Sequence, residues 1–210
     1  MDPFERMQQQ MRNVNSHTED SKVKREGLQP GESIIMSVDN ALSPQQTAEL
    51  RSLVNQDSIQ SIVSKKEEFT NNDEVRRSQV HWLAPDKHEH IYQTVLGIAE
   101  NSNKKYQFKI SAIDQRIQLA IYDESVQGFY RWHMDWGGGA LQRKISISIP
   151  LNDPSEYEGG NLEFNINGDS ISLPQKMGAA IVFPSFILHR VTPVTKGRRY
   201  SLVAWIKGEF

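Results

Sequence analysis

The chain has 210 residues, which suits one domain with a real core. Its formal charge of -2 gives no footprint for bulk nucleic-acid binding, so no nucleic-acid partner is expected. It contains no cysteine, which excludes a disulfide framework, a thiolate metal site and a cysteine nucleophile.

Residues 1–30 are polar, with the run Gln8-Gln9-Gln10 and mixed charges around Lys22 to Glu26, and read as a flexible arm. Residues 31–210 read as a single domain. No apolar run approaches a membrane span and no charged-then-apolar leader opens the chain, so a soluble, intracellular protein of the cytoplasm is expected, with no membrane partner. Oligomeric state is not readable from the sequence.

Ser33 to Val38 predicts a first strand. Ser43-Pro44-Gln45-Gln46 has a capping serine, a proline at the first helical position and a glutamine three after the cap. Leu50, Leu53 and Val54 follow at helical spacing, so this helix is expected to pack one face on a sheet. Ile59 to Val63 reads as a short strand, Glu67 to Glu74 as a polar loop and Arg76 to Leu83 as an extended segment. A second helix opens at Lys87-His88-Glu89-His90 and carries Ile91, Val95, Ile98 and Ala99 on one face. His88 and His90 do not face together on a helix, so they read as surface residues rather than a metal pair.

From Ser111 the period changes to two. Ile117, Leu119 and Ile121 alternate with more polar neighbours, and Lys144 to Ile149 puts Ser146 and Ser148 on one face. Asn161 to Ile166, Ser170 to Leu173, Ala179 to Phe183 and Arg199 to Ile206 supply further strands. Gly137-Gly138-Gly139, Gly159-Gly160 and Asn167-Gly168-Asp169 lie between them as turns. Helices first and many short strands after predict a mainly β fold with N-terminal helices, a double-stranded β-helix or cupin-like jelly roll.

Within this pattern, His133-x-Asp135 at a strand end aims two ligands at one face. His189, closing a later apolar run, would complete a two-histidine, one-carboxylate set. Such a set covers one face of an octahedral iron(II) and leaves the other positions open.

The segment from about Arg116 to Trp205 resembles the catalytic domain of the iron(II)/2-oxoglutarate-dependent dioxygenases, and within them the prolyl 4-hydroxylase-like branch with its PKHD-type hydroxylases. The matching pieces are His133-x-Asp135, Tyr157-Glu158-Gly159-Gly160-Asn161-Leu162, Phe183-Pro184-Ser185, His189-Arg190-Val191-Thr192-Pro193-Val194 and Gly197-Arg198-Arg199. The resemblance implies a catalytic core over about 111–207 and iron(II) held by His133, Asp135 and His189. It also implies 2-oxoglutarate and dioxygen as co-substrates, with ascorbate as a candidate auxiliary. Arg199 falls at the position of the co-substrate arginine, whose planar fork suits a carboxylate. Tyr122 matches a tyrosine that binds the same carboxylate, and Ser201 shares the face of Arg199.

Tyr130 and Arg143 match positions near the iron or the substrate mouth, and Trp136, Trp132 and the triple glycine are expected to flank that mouth. Pro150 departs from relatives that carry a tyrosine there. The implied reaction is hydroxylation of an unactivated C–H bond, with succinate and carbon dioxide as co-products. The implied substrate is a peptidyl prolyl or other amino-acid residue, in a protein, a peptide or a free amino acid. Two rival readings share the metal chemistry or the fold: an oxidative nucleobase demethylase and a non-catalytic, cupin-like metal-binding scaffold.

Overall fold

The computed structural model describes residues 33–54, 59–60, 74–114, 116–137 and 142–209. The N-terminal arm, the loop at 67–73, the far half of the Ile59–Val63 segment and Gly138 and Gly139 lie outside them.

The chain opens with β1 (Met36–Val38), preceded by a turn in which the Ser33 hydroxyl bonds to the Ile35 backbone. That turn shortens the strand expected from Ser33. Helix α1 (Pro44–Val54) begins in the expected capping box: Gln46 N–H donates to Ser43 Oγ and Ser43 N–H donates to Gln46 Oε1. After β2 (Ile59–Gln60), the extended segment at Arg76 to Leu83 divides into β3 (Arg76–Arg77) and β4 (Gln79–Trp82). Helix α2 (Glu89–Tyr106) follows.

The remaining strands are β5 (Ile110–Ile113), β6 (Gln118–Asp123), β7 (Phe129–His133), β8 (Gln142–Pro150), β9 (Tyr157–Gly159), β10 (Leu162–Ile166), β11 (Asp169–Ser172), β12 (Ala180–Pro184), β13 (His189–Val191) and β14 (Val194–Gly208). They form two antiparallel sheets. The larger runs β1-β12-β8-β14-β6-β4-β2, with β5 and β9 also on β14; the smaller runs β11-β10-β13-β7-β3. The protein is a jelly roll.

Period-two alternation divides the larger sheet between two cores. Ile145, Ile147 and Ile149 of β8, Leu119 and Ile121 of β6, and Leu202, Ala204 and Ile206 of β14 pack against Leu50, Ile91, Tyr92 and Val95 of the helices. Burial of each such isoleucine contributes about 1.5–3 kcal/mol. The opposite face turns Ala120, Tyr122, Ile181 and Phe183 toward Leu162, Phe164 and Val191 of the smaller sheet. The helices therefore brace the larger sheet from behind and leave its front, with the polar residues of β6, β8 and β14, to the site. No helix among the described residues is long and apolar enough to cross a membrane.

Candidate metal centre and co-substrate pocket

His133 ends β7 and His189 begins β13, and the two are direct cross-strand partners. Asp135 lies just past the end of β7, where its N–H donates to the Ser185 carbonyl. His133 Nε2 is 3.6 Å from Asp135 Oδ1, and His189 Nε2 is 3.4 Å from Asp135 Oδ2. The ligating atoms of all three lie within 4.8 Å of one another. Met134 points away, half exposed, as the alternation requires.

Both imidazoles are oriented in the same way. His133 Nδ1 lies 2.7 Å from the Arg131 carbonyl, and His189 Nδ1 lies 2.8 Å from the Ile187 carbonyl. A carbonyl only accepts, so each Nδ1 carries the proton and each Nε2 keeps its lone pair for a metal. Burial pushes the His189 imidazole below its ordinary value, against the pull of the Asp135 carboxylate, which favours the neutral, ligating form. Burial opposes ionisation of Asp135, but positive charge on His189 and His133 when they are protonated, with the Ser146 hydroxyl, outweighs it and holds the carboxyl well below the usual range. Ser146 Oγ donates to Asp135 Oδ2 at 2.7 Å and sits 2.9 Å from Ser185 Oγ.

A bulge shapes the wall beside His133. His189 pairs with His133 and Val191 with Tyr130, so Arg190 of β13 stands opposite two residues of β7, Arg131 and Trp132. The extra residue brings Tyr130 back to the inner side, where its ring stacks on His133 at 3.4 Å between centroids.

Arg199 lies opposite Tyr122 in register and is 1% exposed. Its Nη1 donates to Ser201 Oγ at 3.1 Å and its Nη2 to Gln175 Oε1 at 3.3 Å, while Nε has no partner. No carboxylate among the described residues pairs with it. A buried guanidinium without a counter-ion is a site for an anion. The same cavity is lined by Arg76, Gln118, Tyr122, Tyr130 and Trp205 together with the three metal-type residues. Gly160 makes room beside Arg199: it has positive φ, and a Cβ there would come within 2.9 Å of Arg199 Cδ.

A sequence model of the 2OG-Fe(II) oxygenase superfamily matches residues 117–207. A PKHD-type hydroxylase of Colwellia psychrerythraea is 30% identical over 179 residues, spanning 83% of this chain and 78% of that one. The chain belongs to the 2OG-Fe(II) oxygenases, in their PKHD-type branch. Two solved structures share its fold. A prolyl-4-hydroxylase of Pseudomonas putida superposes with a TM-score of 0.65 at 18% identity, covering 84% of this chain and 93% of its own. A prolyl hydroxylase of Trichoplax adhaerens, in complex with a hypoxia-inducible-factor peptide fragment, gives 0.64 at 14% identity, covering 96% and 90%.

Oxygenases of this superfamily use iron(II), 2-oxoglutarate and dioxygen. The donor set fits the metal, and the buried Arg199, which has no counter-ion among the described residues, fits the dicarboxylic acid.

The other sequence-predicted residues divide between the cavity and its surroundings. Tyr122 and Ser201 line the cavity beside Arg199. Arg198 points outward and pairs with Asp123. Arg143 is not a lining residue; its Nε donates to Asp114 Oδ2 at 2.7 Å and its guanidinium lies 4.1 Å from the Trp205 ring. Trp136 is half exposed just beyond Asp135. Trp132 faces away from the cavity and lies under the Arg190 guanidinium on the outer side of the smaller sheet. Pro150 stands opposite Ser201 at the end of β8 and brings no hydroxyl to the pocket.

His88 and His90 flank Glu49 of α1 at 3.9 and 3.6 Å, and no metal group forms there among the described residues.

Sequence reasoning missed Arg76, Gln118, Gln175 and the Ser146–Ser185 pair. The serines carried a signal, because Ser146 interrupts an isoleucine strand on the face that must be buried. Arg76 carried none: it enters the cavity because β3 crosses into the smaller sheet, where its Nη2 donates to Gln118 Oε1 at 3.1 Å.

Proposed function

We propose that residues 31–210 act as one hydroxylase domain whose substrate is a peptidyl side chain, with proline the first candidate. His133, Asp135 and His189 hold iron(II). Arg199, with Tyr122 and Ser201, takes the distal carboxylate of 2-oxoglutarate. The observation that carries the reading is the buried, counter-ion-free Arg199 in the same cavity as the His-Asp-His set. A scaffold that only binds metal has no use for such an arginine, and the formal charge of -2 gives a nucleobase demethylase no support. Peptide as the substrate class is supported by the peptide-bound neighbour of the same fold.

When bound, iron(II) with 2-oxoglutarate and dioxygen supplies the oxidant that converts C–H to C–OH, releasing succinate and carbon dioxide. The chain's own residues set the stage for it. The Arg131 and Ile187 carbonyls aim the two imidazoles, and Ser146 holds the carboxylate. Arg76 and Arg199 place two positive charges against the single negative charge of Asp135, so the cavity favours a dianion even before metal binds. Leu162, Phe183, Val191 and Val203 exclude water from the reacting centre.

The test is succinate release from 2-oxoglutarate over a panel of prolyl peptides and their alanyl counterparts, with iron(II) and ascorbate and mass spectrometry of the peptides. Stimulation by some prolyl members, each gaining one oxygen atom, is expected. Stimulation by methylated oligonucleotides alone would move the protein to the demethylase class.

A further inference from the structure

The outer face of the smaller sheet, behind the strand pair that carries His133 and His189, holds a groove of about 580 Å3. That size falls within the roughly 300–1,000 Å3 of sites that seat small organic molecules or a few residues. Its floor is aromatic and its rim cationic. The Arg77 guanidinium lies 5.0 Å from the Phe129 ring and the Arg190 guanidinium 4.6 Å from the Trp132 ring. Arg131 lines the same groove, exposed, and no carboxylate among the described residues pairs with it. Glu163 engages Arg190 at 2.7 Å.

Three arginines and two aromatic planes thus meet on one patch of a chain whose formal charge is -2. Arg190 engages Glu163 and Arg77 Nη1 donates to the Val126 carbonyl, so the exposed Arg131 is the principal fork offered to a carboxylate, with the charge of the other two beside it. Tyr130 and Val191 line both this groove and the metal cavity, so only the β7–β13 pair separates the two.

We propose that this groove is a docking site for an acidic segment of the protein substrate, remote in sequence from the residue that is hydroxylated. The proposal rests on the peptide-hydroxylase reading above. Anchoring one segment on the outer face raises the local concentration of the target side chain at the cavity mouth, so the site need hold only a short stretch tightly. A long polyanion such as nucleic acid would meet the repulsion of a negatively charged chain beyond the patch, whereas a short acidic segment stays within it.

The test uses fluorescein-labelled probes and anisotropy at 50 and 200 mM salt. The probes are a glutamate- and phenylalanine-rich decapeptide, its lysine-for-glutamate counterpart, and a ten-nucleotide oligo-dT. The wild-type protein is expected to bind the acidic peptide at least tenfold more tightly than the other two, with weakening at the higher salt. Arg131→Glu is expected to weaken it at least tenfold, and Arg77→Glu with Trp132→Ala in a second variant to do the same, each checked for native circular dichroism. If neither folds, the charge-neutral Arg131→Gln is expected to weaken the acidic peptide at least threefold. Equal binding of the acidic and basic peptides, tighter binding of oligo-dT, or wild-type affinity in a folded variant would overturn the proposal.

The two readings fail separately. Wild-type protein that releases succinate but binds no acidic peptide loses the docking site alone. Protein that binds the peptide through these arginines but never turns over 2-oxoglutarate loses the catalytic reading, and the groove stands as a binding site.

Discussion

Replacing Ser146 with alanine removes a side-chain hydroxyl that donates to the Asp135 carboxylate at 2.7 Å in a buried setting. A hydrogen bond to an ionised group is worth about 1.5–3 kcal/mol, or roughly 10- to 150-fold in an equilibrium constant. That range is an upper limit for metal binding, because Ser146 holds the carboxylate both before and after a metal arrives. The part lost on binding is the orientation of Asp135 and its readiness to stay ionised. Ser185 Oγ, 2.9 Å from Ser146 Oγ, is close enough to recover some of it. Outer partners of metal ligands commonly carry 10- to 100-fold in affinity.

We therefore expect Ser146→Ala to weaken metal binding about tenfold, and Ser146→Ala with Ser185→Ala to approach 100-fold. Calorimetric titration of the metal-free protein with iron(II) under nitrogen, or with manganese(II), measures this directly. Loss of the hydroxyl also lets the Asp135 carboxyl rise toward its ordinary range. Acid loss of metal binding should then begin at a higher pH in the variant than in the wild type. Wild-type affinity in the folded double variant would refute the role assigned to the serine pair.

Gly160→Ala forces a Cβ against Arg199 Cδ at a positive φ, so it should raise the 2-oxoglutarate requirement at least tenfold in succinate assays while leaving metal affinity near wild type. An unchanged requirement would show that the arginine does not contact the co-substrate. Trp136→Ala is expected to weaken binding of a responding peptide but leave uncoupled 2-oxoglutarate turnover; wild-type peptide affinity would remove Trp136 from the substrate mouth. Tyr106 tests the fold itself. Burial pushes its phenol above the ordinary value of about 10, and its hydroxyl is shared by the Ile34 and Val182 carbonyls. Because the fold keeps the neutral form, this contribution is complete below about pH 10 and is lost as pH rises further. Denaturant unfolding at pH 8 and pH 11 should show a smaller loss for Tyr106→Phe than for wild type, and equal losses would contradict the assignment.

Much of the architecture was legible because period two is a local property. The isoleucines of β8 and β6 and the alternation through Arg199 and Ser201 each predict the face that the structure buries or turns to the cavity. The Asn167-Gly168 turn was legible for the same reason: both residues take the positive φ that a two-residue hairpin between β10 and β11 requires.

Features set by the pairing of distant strands were not legible. Arg76 to Leu83 reads as one strand, yet it breaks at Ser78, and its halves join different sheets. Arg76 reaches the cavity only through that switch. The β7 bulge likewise turns Tyr130 inward and Arg131 outward, where simple alternation from His133 predicts the reverse. His133 and His189 were identifiable by residue type and motif, but that they face each other across one strand pair is known only once β7 and β13 are paired.

The measurement that bears most directly on the account is succinate release from 2-oxoglutarate under air with iron(II) and ascorbate, comparing wild type, His133→Ala and Arg199→Ala. The account predicts slow turnover in the wild type and none in His133→Ala. Arg199→Ala should need at least 100-fold more 2-oxoglutarate, since a bidentate charge-assisted contact is lost. Turnover that survives His133→Ala unchanged, or a 2-oxoglutarate requirement untouched by Arg199→Ala, would contradict it.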